Sequence, residues 1–280
     1  MKNVKILFFI SAVLFLAGDI LAVIYSYQYC RRKSESQEYT AQRDLDTKEQ
    51  SELISGAEKR TELPQQSYTV VIDPGHQDCS FPDEEEPVGP GSAERKHKYS
   101  KGDAGVVTGT TEASLCLDVA FLLKKELENR GYTAILTRTD NYTLMSSKER
   151  ADVVTKNGGD VYIRIHGNYD DKSEKTAGAE CIVPTPENAY IGYMYKDCLE
   201  LGQLILNSYC VETGLVNRGC LQRDNLVGSN WSPVPVALIE LGYLSNEEED
   251  SWMSGQEHQE KMARGIAEGI EKYFAKEGES

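Results

Sequence analysis

Short apolar segments alternate with longer amphipathic segments along most of the chain. The apolar segments are rich in valine, isoleucine and tyrosine and end at polar or turn residues, which is typical of buried strands. They predict strands at Tyr68–Asp73, Thr133–Thr137, Asp160–His166, Ala179–Val183 and Val234–Glu240. Apolar residues spaced three or four apart predict the helices between them. These helices are Glu112–Arg130, one ending at Gly158, Ala189–Thr213 and Glu257–Ala275.

This alternation of strands and helices determines the expected fold class. It predicts a single α/β domain with a mainly parallel, twisted sheet and helices on both faces. The helix ending at Gly158 has a clear start, because Ser146 and Glu149 have the spacing of a capping box. In sheets of this kind, ligands bind beyond the carboxyl ends of the strands.

The N-terminal part of the chain differs from the rest. Ile6–Tyr25 is an apolar run that follows two lysines and is long enough to span a bilayer. It is either an uncleaved membrane anchor, which we favour because no good cleavage site follows, or a secretory signal. Residues 34–66 are polar and charged and predict a linker. We therefore expect an anchor or signal at 1–33, a linker at 34–66 and an exported catalytic domain at 67–280.

Charge and cysteine content narrow the classes of partner. The formal net charge is -15, which argues against nucleic acid as a ligand because phosphate binding relies on clustered lysine and arginine. The seven cysteines are scattered and form no CxxC pair, which argues against a cysteine-type zinc site. Such spacing favours buried free thiols, although an exported chain could also form disulfides.

Candidate chemistry lies at the ends of three predicted strands. His76 follows the first strand, His166 ends another, and Glu240 ends the last one. Glu112 lies in the first turn of a helix, where the helix dipole favours the ionised carboxylate. Two imidazoles and one carboxylate form a ligand set for catalytic zinc, and a further carboxylate, here Glu240, serves as general base. On spacing alone this signal is weak, since a histidine at a strand end is more often structural.

Five ordered sequence blocks strengthen that interpretation. They are VVIDPGH, the glutamate that begins the next helix, LTR at 136–138, IHGN, and VALIELGYLSN at 236–246. Together they resemble the zinc-dependent N-acetylmuramoyl-L-alanine amidases of the amidase-3 family, over essentially the whole globular part. The resemblance implies that His76, Glu112 and His166 bind one zinc ion and that Glu240 is catalytic. It also implies that the substrate is peptidoglycan, cut between muramic acid and L-alanine.

The chain departs from the family pattern in three places. Gln77 follows the first histidine where the family usually has glycine, and Arg164 stands two residues before His166 where serine is common. The loop at 77–111 is long and carries an acidic run at 83–86, which is expected to be solvated or, less often, to act as a lid. No metal ligand is lost. Substrate preference and regulation are therefore the properties most open to change.

Two further residues are candidates for orienting the site. Arg164 and His166 project from the same face of a strand, so Arg164 is expected either to pair with Glu240 or Glu112 or to tie the strand to a neighbouring loop. Asp73 precedes Pro74-Gly75. It is either a residue that orients a ligand histidine or an ordinary turn residue.

Two other functions stay open at this point. A zinc peptidase acting on peptidoglycan stem peptides would use the same chemistry, and a non-catalytic domain could bind the cell wall. The retention of Glu240 and all three ligands favours the amidase over the non-catalytic alternative. The sequence names no activating partner protein.

Overall fold

A computed structural model describes residues 68–277 of the chain. The predicted anchor or signal at Ile6–Tyr25 and the predicted linker at 34–66 lie outside the described residues. The strands are β1 Thr69–Pro74, β2 Glu85–Pro87, β3 Arg95–His97, β4 Thr133–Leu136, β5 Val161–Asn168, β6 Ala179–Val183, β7 Asn217–Gln222 and β8 Val236–Tyr243. The α-helices are α1 Glu112–Asn129, α2 Ser147–Asn157, α3 Tyr195–Thr213, α4 Val227–Asn230, α5 Glu247–Met253 and α6 Gln256–Glu277.

Six strands form one sheet in the order β4-β1-β5-β8-β6-β7. The pairs β4-β1, β1-β5, β5-β8 and β6-β7 are parallel, whereas β6 is antiparallel to β8. The prediction of a mainly parallel α/β sheet is therefore confirmed. The reversed direction of β6 and β7 makes the sheet mixed.

Helices cover both faces of the sheet. Successive residues Val70, Val71 and Ile72 of β1 are fully buried, which requires packing on each side because side chains alternate along a strand. The helices form two groups: α1, α3 and α5 each contact α6, and α2 contacts α4. The buried strand residues therefore lie between these two helical groups.

Two predicted helix boundaries follow local hydrogen bonding. The capping box at the start of α2 is present, since Ser146 and Glu149 exchange hydrogen bonds of 2.7 and 3.2 Å. Gly158 ends that helix in the left-handed conformation, with φ 61°. The helix predicted from Ala189 begins only at Tyr195. The reason is that the Asn188 side-chain oxygen accepts hydrogen bonds from the backbone N–H groups of Tyr190 and Ile191 and holds a turn there.

The long loop at 77–111 is ordered by two buried carboxylates. Within it, β2 and β3 form an antiparallel hairpin. Glu86 is buried and accepts a 3.3 Å hydrogen bond from the Lys148 backbone at the start of α2. Asp250 accepts hydrogen bonds from the backbone of Val107 and Thr108 at 2.7 and 2.8 Å. The acidic run is thus exposed at 83–85 but buried at Glu86, and the hairpin tip at Gly91 is exposed.

The cysteines of the described domain are free thiols. Six lie between residues 68 and 277, and three of them are buried: Cys116, Cys181 and Cys198. Cys181 lies opposite Cys220 in the register of β6 and β7. None of the helices in this part of the chain has the length and apolar composition of a membrane span.

Candidate active site

The three predicted metal ligands come together at the carboxyl ends of β1 and β5. Glu112 Oε1 lies 3.1 Å from His76 Nε2 and 3.0 Å from His166 Nδ1. One donor atom from each of the three residues can be chosen so that all lie within 4.8 Å of one another. That separation suits one cation bound by three protein ligands.

His76 lies just beyond β1, in a turn with a sterically disfavoured backbone. Its φ is 57°, and it is the one non-glycine residue with positive φ among residues 68–277. Its Nδ1 lies 3.1 Å from the Ser100 carbonyl oxygen, so the long loop orients the ring and turns Nε2 toward Glu112. A Cβ added to Gly102 would lie 2.6 Å from Glu112 Oε2 and 2.9 Å from His76 Cγ. The loop backbone therefore closes over the two ligands where only glycine fits.

Glu112 is the first residue of α1 and is almost fully buried. Its carboxylate accepts hydrogen bonds from the backbone N–H groups of Gly167 at 3.1 Å and Asp103 at 3.2 Å. Burial disfavours the ionised form, but the contacts with His166 and His76 outweigh burial and hold the pKa of Glu112 well below its usual range. The carboxylate is therefore ionised at neutral pH, as a metal ligand must be.

His166 is held in its neutral form. Burial lowers the pKa of His166 to about 4, although the contact with Glu112 acts in the opposite direction. A neutral imidazole is the state that binds a metal. The donor types, their spacing and the protonation states of Glu112 and His166 thus fit a bound metal cation.

Glu240 lies directly beside this ligand set. It is paired with His166 in the register of β5 and β8, and on its other side with Glu180 of β6. Burial, followed by the negative charges of Glu112 and Glu180, raises the pKa of Glu240 to about 8. Glu240 Oε2 and His166 Nε2 are the two buried side-chain atoms without a hydrogen-bond partner among the described residues. Unsatisfied buried polar atoms are rare in a scaffold, so their presence here indicates a functional site.

Arg164 does not contact either of its expected site carboxylates. Its Nε donates to Asp73 Oδ2 at 3.0 Å, so within the described chain its carboxylate partner is Asp73 rather than Glu240 or Glu112. The expected pairing is wrong because Asp73 and Arg164 are register partners on the adjacent strands β1 and β5. The parallel neighbour thus supplies the carboxylate.

Asp73 is a fully hydrogen-bonded buried carboxylate. It accepts from Thr137 and Arg150 on one oxygen and from Tyr162 and Arg164 on the other, at 2.7 to 3.0 Å. Burial opposes its ionisation, yet the charges of Arg150 and Arg164 outweigh burial and hold the pKa of Asp73 well below its usual range. These partners include no histidine, so Asp73 does not orient a ligand ring directly; its charged partners are Arg150 and Arg164.

The sequence analysis missed three charged residues that lie next to the candidate site. Arg138 and Arg150 are buried and donate to backbone carbonyls around His76. Glu180 lies opposite Glu240 and accepts hydrogen bonds of 2.6 Å from both Arg218 and Tyr243. Arg138 is part of the LTR block, which was a usable signal. Arg150 and Glu180 have no comparable motif, since only the tertiary fold brings them to the site.

Comparison with known proteins agrees with this geometry. The family model described as N-acetylmuramoyl-L-alanine amidase, amidase-3, matches residues 70–272. The "Probable cell wall amidase LytH" of Staphylococcus aureus is 26% identical over 216 residues, covering 76% of this chain and 60% of the relative. The chain therefore spans about 60% of the length of that curated relative.

Solved amidase structures share the fold. The apo form of the N-acetylmuramyl-L-alanine amidase Ami1 from Mycobacterium abscessus superposes with a TM-score of 0.66 at 24% identity, covering 74% of this chain and 98% of that one. The catalytic domain of the N-acetylmuramoyl-L-alanine amidase CwlV from Paenibacillus polymyxa gives 0.58 at 25% identity, with coverages of 74% and 98%. The CwlD amidase of Clostridioides difficile, solved in complex with the GerS lipoprotein, gives 0.60 at 24% identity, with 75% and 99%. Since the family model covers most of the chain, the protein belongs to the amidase-3 family of N-acetylmuramoyl-L-alanine amidases.

Proposed function

We propose that the protein is a zinc-dependent amidase that hydrolyses the bond between N-acetylmuramic acid and L-alanine in peptidoglycan. The observation that carries this proposal is the convergence of His76, Glu112 and His166 within 4.8 Å, in a chain of the amidase-3 family. The pairing of Glu240 with His166 across β5 and β8 adds an acid/base group at the same place.

In this proposal His76, Glu112 and His166 hold zinc, and Glu240 moves the proton. Bound zinc supplies a water of lowered pKa and polarises the scissile carbonyl. Glu240 accepts the proton of the attacking water and passes it to the nitrogen of the leaving peptide. Its pKa of about 8 suits the second task, because a carboxyl with a raised pKa retains the proton until the amine needs it.

The substrate and location follow from the same family. The S. aureus relative is described as a probable cell wall amidase, and peptidoglycan lies outside the cytoplasm. We infer that residues from about 67 onward face the cell wall, held to the membrane by the segment Ile6–Tyr25 or released after its cleavage. No nucleic-acid partner is proposed, given the net charge of -15.

Product analysis tests the proposal directly. The purified full chain, loaded with zinc, is incubated with peptidoglycan, and the soluble products are identified by mass spectrometry. Free stem peptides that begin with L-alanine, lost on chelation and restored by zinc, are expected. Shortened stem peptides still attached to muramic acid would instead show a peptidase, and zinc-independent wall binding without products would show a binding domain.

The ligand set has its own test. His76→Ala and His166→Ala should each lose stoichiometric zinc, because two protein ligands hold the ion far more weakly than three. His97→Ala is the matched control, since that histidine is exposed and pairs with Asp83 on the hairpin. Zinc content equal to wild type in both ligand variants would overturn the assignment.

A further inference from the structure

Three consecutive carbonyls of the turn that carries His76 are bound by buried guanidinium groups. Arg138 donates to Pro74 O at 2.9 Å and to Gly75 O at 2.7 Å. Arg150 donates to the same Pro74 oxygen at 2.5 Å and to His76 O at 2.6 Å. Both arginines are almost fully buried, with 2% and 3% exposure. Few turns need two buried cations, since a turn in contact with water satisfies its carbonyls without them.

The turn needs external support because of its conformation. His76 has a φ of 57°, a region that non-glycine residues avoid for steric reasons. At Gly75 the backbone lies directly against the ring of the ligand His166, since a Cβ at Gly75 would lie 2.5 to 2.8 Å from atoms of that ring. The left-handed backbone and the close approach together fix where the His76 ring can point.

The same two arginines also reach the segments of the other ligands. Arg138 donates to Ala113 O at 2.8 Å, one residue past Glu112 in the first turn of α1. Arg150 contacts Asp73 at 2.9 Å, and Asp73 in turn contacts Arg164, which lies two residues before His166. Arg138 therefore links the His76 turn directly to the backbone of the Glu112 segment, whereas Arg150 reaches the His166 strand only through the side chains of Asp73 and Arg164. Neither guanidinium contacts a ligand side chain in the hydrogen bonds of the described residues.

Gln77 completes this arrangement. It is buried, and its Oε1 accepts a 2.5 Å hydrogen bond from Arg150 Nη2, the atom that also binds His76 O. Gln77 stands where the family pattern usually has glycine. The replacement of glycine by glutamine therefore changes the structure here, because the Gln77 side chain binds and orients the Arg150 guanidinium group.

We propose that Arg138 and Arg150, aided by Gln77, are positioning residues that hold His76 in its left-handed conformation and thereby set the affinity of the site for metal. This inference rests on the proposed zinc function. A purely structural role would stabilise the domain with or without metal. A positioning role changes the metal site more than it changes the zinc-free fold.

The test uses the full chain with Arg138→Lys and Arg150→Lys. Lysine keeps the charge, but a single ammonium group cannot span two carbonyls as the planar guanidinium does. Arg130→Lys is the matched control, since Arg130 forms ion pairs with Glu126, at the end of α1 opposite Glu112, and with Glu271 on α6. Zinc affinity is measured by competition with a chromogenic chelator, and thermal unfolding is measured on the chelated chain.

Each site variant should weaken zinc binding by about 10- to 100-fold, the usual effect of removing a residue that supports a metal ligand. The zinc-free melting temperature should also fall, and by more than in Arg130→Lys, because each lysine leaves buried carbonyl groups without a donor; Arg130→Lys should keep wild-type zinc affinity. Unchanged zinc affinity in both site variants would overturn the proposal. A large drop in zinc-free stability with wild-type affinity in the folded fraction would overturn it too.

Two further measurements cover the cases in which a lysine variant does not fold or the wild-type chain binds no zinc. If a lysine variant does not fold, Gln77→Ala replaces it: weaker zinc binding with unchanged zinc-free melting supports the proposal, and wild-type affinity overturns it. The backbone φ of His76 is also measured by NMR coupling constants in the zinc-free chain. Loss of the positive φ of His76 in the variants supports the positioning role even if the wild-type chain binds no zinc. Absence of zinc binding in the wild-type chain would refute only the proposed function.

Discussion

Asp73 and Glu240 are two acidic side chains near the same end of the sheet, with opposite surroundings. Asp73 accepts four hydrogen bonds, two of them from arginines, and its pKa lies well below the usual range. Glu240 has one buried oxygen without a partner and two acidic neighbours, and its pKa is raised to about 8. Burial is the largest single influence on both carboxyls and raises the pKa of each. The partners therefore decide which carboxyl anchors the fold and which is free to exchange a proton.

The largest expected difference between substitutions at Asp73 and at Glu240 is in catalysis. Glu240→Gln should lower the rate of amide hydrolysis by about 10²- to 10⁴-fold, the usual contribution of a positioned acid/base. Zinc content and the folded structure should be retained, because glutamine has the same shape. Glu248→Gln, on the exposed surface of α5, is the control. Wild-type turnover in Glu240→Gln would remove this residue from the mechanism.

The next largest effect should be on stability, at Asp73. Asp73→Asn leaves Arg150 and Arg164 buried without their counter-charge, and breaking a buried pair in this way costs about 3–5 kcal/mol. Urea unfolding of the zinc-free chain measures it. Asp152→Asn makes the same change in a partly exposed pair with Lys148 and should cost under about 1 kcal/mol. Equal losses in the two variants would mean that burial of the Asp73 network does not matter.

A pH effect should follow from Glu240 in the zinc-free chain. Its folded pKa, about 8, lies above the ordinary 4.5, so the stability it contributes is present at low pH and is lost as pH rises toward 8. His166, with a folded pKa of about 4 against an ordinary 6.5, acts in the opposite direction, but only below pH 6.5. Between pH 6.5 and 8 the unfolding free energy should therefore fall.

Denaturant unfolding with chelator present, at several pH values, measures this slope. Glu240→Gln should flatten it, because glutamine does not titrate. The same slope in wild type and variant would assign the pH dependence to another group.

The smallest effect concerns Glu180, the acidic neighbour of Glu240 on β6. Burial and Glu112 raise the pKa of Glu240 more than Glu180 does, so Glu180→Gln should lower that pKa only modestly. NMR titration of Glu240 in the zinc-free chain detects the change. Arg218→Gln is the matched control, because it removes the 2.6 Å partner of Glu180 and leaves the negative charge. A pKa of Glu240 that rises in Glu180→Gln would contradict the like-charge explanation.

The residues that sequence reasoning located are those with a local signal. The strand β1, the capping box of α2 and the four site residues at strand ends or helix starts were all predicted from periodicity, caps and the resemblance to the family. These features depend on neighbours in the sequence. For that reason a single chain was enough to find them.

The features that the sequence analysis missed depend on contacts between segments that are distant in the sequence. β7 is a polar edge strand with most residues exposed, so it lacks the alternation by which strands are recognised. The predicted partner of Arg164 was wrong because the register between β1 and β5 decides which carboxylate lies beside it. The direction of β6, which brings Glu180 to Glu240, also has no local signal in the sequence. Arg150 lies on α2, and only the packing of that helix against β1 brings it to the His76 turn.

The buried carboxylate at the end of the acidic run has a practical consequence for engineering. Because Glu86 is held at the start of α2, residues 83–86 are a poor place to shorten or replace the long loop. The hairpin tip is different, since Gly91 is exposed and a Cβ there would meet nothing within 4 Å. A peptide tag inserted at Gly91 should leave the catalytic end of the sheet intact, which would give a labelled enzyme for following its position on living cells.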